Sequence, residues 1–199
     1  MAEISISQFS NEAQEVLTSL EATQHEFWNI DRETANYLYN FILENNIQNA
    51  IEIGTSNGYS GIWQASAVKK NGGKFSTIEF WDKRQSVAIQ NFKICDCNDV
   101  ITTYLGSAFP ILEEINVKVN NNELEKFDYA FIDANKKEYI EYFKLLDPIL
   151  KSGAYIFADN MLSHKEKVQP FLDAISSNEN YEIVLMEMGT GVLKAKKKN

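Results

Sequence analysis

The stretch IEIGTSNGYSG at residues 51–61 decides the fold, because it passes from a short apolar strand through a glycine-rich loop into a helix. The helix that follows carries apolar residues at Ile62, Ala65 and Val68. In open parallel sheets, ligands bind outside the carboxyl ends of the strands, near the point where the strand order reverses. Glycine lets the backbone approach a ligand closely, and a helix N-terminus supplies free N–H groups. The segment therefore predicts a ligand site directly after the first strand of an α/β sheet.

The spacing of the glycines narrows the class of ligand. Gly54, Gly58 and Gly61 do not form the G-x-G-x-x-G dinucleotide fingerprint, and the chain has no G-x-x-x-x-G-K-[ST] phosphate loop. Glu52 lies inside the strand, and a partly buried carboxylate there needs a partner, which a ligand ammonium group or backbone donors could provide. Glu79 ends the next apolar run, where an acidic residue contacts ribose hydroxyls in nucleoside-binding α/β folds. The pattern indicates a nucleoside ligand.

Strand-like and helix-like segments alternate along the chain. Residues 7–27 and the segment after Asp31, which is placed to cap a helix, have helical periodicity. Helical segments such as 139–150 separate five apolar runs, and we predict strands at 50–53, 74–78, 100–105, 129–132 and 155–158. Two further predicted strands, 182–187 and 192–194, flank residues 188–191 and form a hairpin.

This order of segments predicts an α/β fold. Alternating strands and helices form a parallel sheet with helices on both faces, and the terminal hairpin adds an antiparallel edge. We therefore expect a Rossmann-like three-layer sandwich with a mostly parallel seven-stranded sheet, an antiparallel C-terminal hairpin and N-terminal helices. With 199 residues and 44% hydrophobic content, the chain has the size of one domain, 1–199, with a helical cap at 1–46 and a Rossmann-like core at 47–199.

Composition and charge limit the partners. The 19 basic and 28 acidic residues give a net charge of −9, whereas nucleic-acid binders usually carry a basic footprint, so a small-molecule substrate is favoured. No stretch has the roughly 18 uncharged apolar residues of a membrane span, and the N-terminus lacks the pattern of a secretory signal. We expect a cytoplasmic protein without a membrane partner, in which Cys95 and Cys97 are reduced thiols.

Oxygen-bearing side chains follow two neighbouring predicted strands. Asp133 follows the fourth strand with Lys136 three residues later, and Asp159 and Asn160 follow the fifth. The carboxyl ends of parallel strands meet at one edge of the sheet. Hard oxygen ligands without His or Cys suit Mg²⁺, or another divalent cation such as Ca²⁺ or Mn²⁺, rather than zinc. Taken alone, either set of residues is better explained as an ordinary loop start, which Asp and Asn favour.

The joint pattern resembles a known family. The E-x-G-x-x-x-G loop followed by a strand-ending Glu is similar to class I S-adenosylmethionine-dependent methyltransferases. The stretches GTSNGYS, FIDANKKEY and ADNMLSH together resemble the metal-dependent O-methyltransferases of the catechol and caffeoyl-CoA type. The resemblance implies that the loop surrounds the methionine end of the cofactor, that Glu79 holds the ribose and that residues 106–108 contact the adenine. The implied cofactor-binding residues are Glu52, Gly54, Thr55, Ser56, Gly58, Tyr59, Ser60, Glu79, Gly106, Ser107, Ala108 and Asp133.

The resemblance also implies a metal-assisted reaction on a small catechol-like or vicinal-diol substrate. Asp133, Asp159 and Asn160 would hold the divalent ion, whose charge favours the oxyanion of the acceptor hydroxyl. Lys136 and Asp133 are the implied catalytic residues, with Lys136 as the general base. A free lysine has a pKa of roughly 10.4, and the nearby cation and partial burial would lower it. Many relatives read D-A-D-K, whereas this chain has Asn135 in place of the second acid, which leaves the metal dependence open.

Two alternative functions stay open. A tRNA hydroxyuridine O-methyltransferase keeps the chemistry and changes the acceptor, although the net charge of −9 argues against it. A non-catalytic S-adenosylmethionine-binding protein keeps only the cofactor, although Lys136 and the candidate metal ligands argue against that. The resemblance further suggests a homodimer. We interpret His164 as a helix-start residue at the rim, although it could serve as an acid, base or ligand, and Trp28 as the tryptophan placed to reach the mouth of the pocket.

Overall fold

Seven strands form one mixed sheet in the computed structural model, which describes residues 4–198. The strand order is β3-β2-β1-β4-β5-β7-β6. Strands β1 to β5 pair in parallel, and β7 lies antiparallel between β5 and β6, so the predicted sheet and its C-terminal hairpin are confirmed. The strands are β1 (Asn49–Ile53), β2 (Lys74–Glu79), β3 (Ile101–Leu105), β4 (Phe127–Ile132), β5 (Leu150–Ala158), β6 (Tyr181–Met186) and β7 (Val192–Lys197).

Helices cover both faces of the sheet. Neighbouring residues of a strand point to opposite faces, and accordingly Ala50 belongs to one buried apolar cluster and Ile51 to the other. The four long helices nearest the N-terminus pack on the face of Ala50. The three helices nearest the C-terminus pack on the face of Ile51, which confirms the three-layer sandwich. The helices are α1 (Asn11–Ala22), α2 (Gln24–Phe27), α3 (Arg32–Glu44), α4 (Tyr59–Lys70), α5 (Asp82–Ile94), α6 (Ala108–Asn120), α7 (Tyr139–Leu146) and α8 (Lys165–Ser176).

The single helix predicted over residues 7–27 is wrong at its start and in its middle. Helix α1 begins directly after Ser10, whose hydroxyl caps it by accepting a hydrogen bond from Ala13 N at 3.2 Å. It ends before Thr23, whose backbone leaves the helical conformation, and α2 then begins as a separate turn. The predicted cap at Asp31 is confirmed, since its carboxylate accepts a hydrogen bond from the third following backbone N–H at 2.7 Å.

Other predicted boundaries shift by a few residues. Strand β3 begins one residue late because Asn98–Val100 form a 3₁₀ turn. Helix α7 stops before Asp147–Ile149, a second 3₁₀ turn that contains Pro148, since proline lacks the N–H that a continuing helix needs. Strand β5 begins well before residue 155, although the polar run Lys151–Ser152 hides it from an apolar pattern. Its early part pairs with β4 across a register shift.

The N-terminal helices pack against the sheet layer rather than standing apart. The ring of Phe9 contacts Trp63 of α4 edge-on, with 4.9 Å between centroids. Leu17 of α1 and Leu38 of α3 are fully buried in the same cluster as Trp63. The division into a cap at 1–46 and a core at 47–199 stays a prediction, and residues 1–3 and 199 lie outside the described residues. Between residues 4 and 198, no helix is long and apolar enough to span a bilayer.

Gly54 follows β1 and lies directly against the backbone at the end of β4. Its φ is +110°, and a Cβ there would lie 2.1 Å from the carbonyl oxygen of Asp133. Only glycine can combine this conformation with such a close approach of two backbones. Gly72 also has a positive φ, +71°, but a Cβ there would meet nothing within 4 Å.

We predict that Gly54→Ala and Gly72→Ala destabilise the chain to different degrees. Gly72→Ala should lower the free energy of unfolding by about 1 kcal/mol, which is the strain of a left-handed residue alone. Gly54→Ala should lower it by about 3 kcal/mol or more, because the strands must also move apart. Urea denaturation of both variants measures the difference, and equal losses would contradict the backbone contact.

Candidate active site

A cavity of about 960 Å³ runs along the carboxyl ends of the parallel strands. Most of the residues selected from the sequence line it, although they come from five different loops. They are Gly54, Thr55, Ser56, Tyr59, Ser60, Glu79, Gly106, Ser107, Ala108, Asp133, Lys136, Asp159 and Asn160. Two of the selected residues, Glu52 and Gly58, do not line it.

The carboxylate of Glu79 is fixed between two loops at one end of the cavity. One oxygen accepts a hydrogen bond from Ser56 N at 2.7 Å, and the other accepts one from Trp81 N at 2.9 Å. The backbone of Ser56 has a left-handed conformation, with a φ of 49°, and in this conformation its N–H points to Glu79. A carboxylate has about four acceptor sites, so each oxygen can still accept a hydroxyl proton. Glu79 therefore fits the ribose contact that the sequence predicts.

Glu52 lies beneath the glycine-rich loop, fully buried. Its carboxylate accepts hydrogen bonds from Ser60 Oγ at 2.6 Å, Gln64 Nε2 at 2.9 Å and Thr77 Oγ1 at 2.7 Å. The expectation that a ligand ammonium or backbone donors satisfy Glu52 is therefore wrong, because three side chains from α4 and β2 do so. Burial raises the pKa of Glu52 to about 7, against the lowering effect of these hydrogen bonds.

Gly58 has a packing role at the start of α4. It caps the helix with a φ of +89°, and a Cβ there would lie 2.9 Å from the ring of Phe92 on α5. The glycine therefore lets α5 approach the loop from the side opposite the cavity. Its selection as a cofactor contact has no support from this geometry.

Lys136 and Asp133 form an ion pair at the other end of the cavity. The Nζ of Lys136 lies 2.9 Å from Asp133 Oδ1, and both side chains are largely but not fully buried. Asn135 caps the short 3₁₀ turn Lys136–Glu138 by accepting a hydrogen bond from Lys137 N at 3.3 Å. The residue that replaces an acid of the family pattern therefore orders the turn that carries Lys136.

Asp159 and Asn160 are oriented by Thr190, which comes from the loop of the C-terminal hairpin. Thr190 Oγ1 donates to Asp159 Oδ1 at 2.7 Å and accepts from Asn160 Nδ2 at 3.1 Å. Asn160 is left-handed, with a φ of 66°. Its Oδ1 is buried and has no hydrogen-bond donor among residues 4–198. Sequence reasoning missed Thr190, although the predicted hairpin returns the chain to the edge beside β5.

The acidic residues at this end of the cavity fit a divalent cation. Burial, followed by the charge of Asp133, raises the pKa of Asp159 to about 7, so the two carboxylates are close enough to repel each other. The unpartnered oxygen of Asn160 adds a third hard ligand of the kind that Mg²⁺ and Ca²⁺ prefer. In the described part of the chain no three His, Cys, Asp or Glu residues cluster to hold a metal, so the amide is needed to complete the set.

The segment after α1 also lines the cavity, and the sequence predicted such a position only for Trp28. Residues 24–30 contribute Trp28 among others, and Ser56 Oγ donates to Phe27 O at 3.4 Å. Trp28 is left-handed and 75% exposed, with the guanidinium of Arg84 5.8 Å from its ring centroid.

His164 caps α8 at the rim, as predicted, and burial followed by the charge of Lys167 lowers its pKa.

Comparison with known proteins agrees with this geometry. A family model described as O-methyltransferase matches residues 7–198. The chain belongs to the O-methyltransferase family. Among curated relatives, a catechol O-methyltransferase of Niastella koreensis is 35% identical over 115 residues, which cover 58% of this chain and 50% of that protein. A caffeoyl-CoA O-methyltransferase of Medicago sativa is 29% identical over 153 residues, which cover 75% of this chain and 61% of that protein.

Solved structures share the fold of this O-methyltransferase family member. An O-methyltransferase from Bacillus cereus, solved in complex with S-adenosylhomocysteine, has a TM-score of 0.83 and 24% identity, covering 95% of this chain and 91% of its own. The O-methyltransferase TomG from Streptomyces achromogenes, solved with S-adenosylmethionine, has a TM-score of 0.82 and 22% identity, covering 96% and 91%. The chain nonetheless spans only about half the length of the first curated relatives it matches.

We predict that Glu52 makes the stability of this family member depend on pH. The pKa of Glu52 is about 7 in the folded chain and near 4.5 when exposed, so the folded state retains a proton that the unfolded state has lost. The contribution of Glu52 to stability is therefore greatest below about pH 4.5 and falls as the pH rises to 7, by about 3 kcal/mol. Glu52→Gln should remove that decrease.

Urea denaturation of the wild type and Glu52→Gln at pH 5 and pH 8 measures this effect. The difference between the two unfolding free energies should change with pH, since other titrating groups are common to both chains. A difference that stays constant between the two pH values would contradict a raised pKa at Glu52.

Proposed function

We propose that the chain is an S-adenosylmethionine-dependent O-methyltransferase that methylates a hydroxyl of a small catechol-like or vicinal-diol substrate with the help of a divalent metal ion. The observation that carries the proposal is the arrangement at one end of the cavity. There Lys136 Nζ lies 2.9 Å from Asp133 Oδ1, beside Asp159 and the unpartnered oxygen of Asn160. A base and a set of hard ligands thus share one edge, next to a loop suited to a nucleoside.

The cofactor would occupy the part of the cavity between Gly54 and Ala108. S-adenosylmethionine supplies a methyl group on a positively charged sulfur. The loop from Gly54 to Ser60 would bind its methionine part, and Glu79 would accept hydrogen bonds from the ribose hydroxyls. Gly106, Ser107 and Ala108 would lie against the adenine. Support comes from the position of all these residues in the lining of one cavity and from the cofactor-bound neighbours of the same fold.

The acceptor would lie at the opposite end, against the acidic residues. Asp133, Asp159 and Asn160 would hold Mg²⁺, or Ca²⁺ or Mn²⁺ in its place, and this charge would favour the ionised acceptor hydroxyl. Thr190 keeps two of these side chains in place through its single hydroxyl. Lys136 would accept the proton of the hydroxyl that is methylated when its side chain is the neutral amine, and Asp133 holds that side chain in position. Fixing both reactants in one cavity supplies much of the remaining rate enhancement.

A panel of catechols tests this function directly. Purified chain with S-adenosylmethionine and Mg²⁺ should convert at least one vicinal dihydroxy compound to its monomethyl ether, which mass spectrometry detects together with S-adenosylhomocysteine. If no member of a broad panel is methylated, the small-catechol version of the proposal fails. Methylation of tRNA in the same assay would instead favour the RNA alternative.

A cytoplasmic location and a homodimer stay predictions. Light scattering of the purified chain measures its oligomeric state.

We predict that Lys136→Ala lowers kcat by about 100-fold or more, because it removes the general base. The dissociation constant of S-adenosylmethionine should change by no more than about twofold, which calorimetry measures and which separates catalysis from binding. Lys165→Ala is the control, since Lys165 is an exposed lysine that does not line the cavity. Equal activity of Lys136→Ala and the wild type would overturn the assigned role.

We predict that activity depends on a divalent ion held through Thr190. Treatment with a chelator should abolish turnover, and added Mg²⁺ should restore it. Thr190→Val removes the hydroxyl that orients Asp159 and Asn160, so we expect Mg²⁺ binding to weaken about 10- to 100-fold. Ser163→Ala is the control, because its hydroxyl lies 3.4 Å from Asn160 Nδ2 and contributes little. Full activity in the presence of excess chelator would contradict the metal site.

A further inference from the structure

A chain of hydroxyl groups connects the buried Glu52 to the wall of the cavity. Glu52 Oε2 accepts from Thr77 Oγ1 at 2.7 Å, and Thr77 Oγ1 lies 2.6 Å from Thr55 Oγ1. On its other side, Glu52 Oε1 accepts from Ser60 Oγ at 2.6 Å. Thr55 and Ser60 line the cavity, whereas Glu52 and Thr77 are fully buried. Glu52 therefore reaches a ligand only through two hydroxyls.

Counting protons fixes the direction of these hydrogen bonds when Glu52 is ionised. A carboxylate is an acceptor only, and each hydroxyl has one proton to donate. The proton of Thr77 goes to Glu52, so Thr77 must accept from Thr55, and the proton of Thr55 is used in turn. The proton of Ser60 is used by Glu52 directly. Thr55 and Ser60 then offer a ligand nothing but lone pairs.

We propose that ionised Glu52 is a positioning residue that makes the hydroxyls of Thr55 and Ser60 acceptors for the α-ammonium group of S-adenosylmethionine. The inference rests on the proposed cofactor and adds a role that Glu52 performs without touching it. An ammonium group has three donors and no acceptor, so it is complementary to two oxygens that can only accept. A hydrogen bond to such a charged group is stronger than one between neutral groups.

The surroundings of Glu52 set the conditions for a test. Of the charged and titratable groups around it, Asp133 opposes its ionisation, and the buried hydroxyl of Tyr129 lies close to it without a hydrogen-bond partner among residues 4–198. Because the pKa of Glu52 is raised to about 7, measurements at pH 8.5 address the ionised form.

Glu52→Gln reverses one branch of this chain while keeping the shape of the side chain. The amide oxygen of the introduced glutamine side chain should face Ser60 Oγ and Gln64 Nε2, because Gln64 Nε2 also donates to Ser60 O at 3.3 Å and is thereby held as a donor. The amide NH₂ then faces Thr77, which must accept and send its proton to Thr55. The Thr55 hydroxyl then has its own proton free to donate to a ligand. A donor at this position is unfavourable for an ammonium group, which itself can only donate.

The experiment measures binding by calorimetry at pH 8.5 with S-adenosylmethionine, S-adenosylhomocysteine and 5′-methylthioadenosine. The last compound keeps the nucleoside and the sulfur but lacks the ammonium and carboxylate groups. For Glu52→Gln we expect the first two to bind about 10-fold more weakly and 5′-methylthioadenosine to bind within about twofold of the wild type. In a Thr55→Val background, adding Glu52→Gln should weaken S-adenosylhomocysteine binding by no more than a further twofold or so, because the two residues act as a unit.

Each other outcome has a distinct meaning. If 5′-methylthioadenosine binding falls in parallel with that of the two amino-acid-bearing ligands, Glu52 only supports the fold of the loop and the inference is overturned. Equal affinities of the wild type and Glu52→Gln for S-adenosylhomocysteine overturn it as well, and so do additive losses with Thr55→Val. If the wild type binds neither S-adenosylmethionine nor S-adenosylhomocysteine, it is the proposed function that fails.

Discussion

The candidate active site depends on a ladder of backbone hydrogen bonds that continues one residue beyond the ends of the parallel strands. Asp133 N donates to Ile53 O at 2.9 Å, and Asp159 N donates to Ile132 O at 3.1 Å. Each ligand-bearing residue is therefore held to the last residue of the neighbouring strand, although it already belongs to a loop. Side chains that must meet within a few ångströms are positioned by the sheet, whose core is fully buried. Loops alone would not fix them to this degree.

Much of this arrangement follows from the sequence, for a physical reason. Parallel strands that are buried on both faces are continuous apolar runs in the sequence. The polar residue after each run must lie at the edge of the sheet, so the sequence alone predicts that Asp133 and Asp159 lie together. The partners of Glu52 could not be predicted, since Ser60 and Thr77 come from different elements and their side-chain directions depend on how α4 packs on the sheet. The contact between Thr190 and Asp159 could not be predicted either, because a hairpin pattern does not show which strand the hairpin loop approaches.

Two buried acids at this edge show how environment separates roles. The pKa values of Glu52 and Asp159 are both raised to about 7, in each case chiefly by burial. Glu52 is satisfied by three side-chain donors and is closed off from the cavity, whereas Asp159 lines the cavity and has one hydroxyl donor, Thr190. A carboxylate whose acceptor sites are already used organises its surroundings. One that keeps free acceptor sites beside Asp133 is suited to the proposed cation.

The two ends of the cavity are also built from different parts of the chain. The end proposed for the cofactor is fixed by the core of the sheet, through Glu52 below the loop and Glu79 beside it. The end proposed for the acceptor is completed by peripheral segments, namely the turn at Asn135 and the hairpin loop at Thr190. Changes in peripheral segments disturb few buried contacts, so they can alter which acceptor fits while the cofactor loop stays intact. Family membership accordingly informs the chemistry far more than the identity of the methyl acceptor, which depends on the least constrained residues of the site.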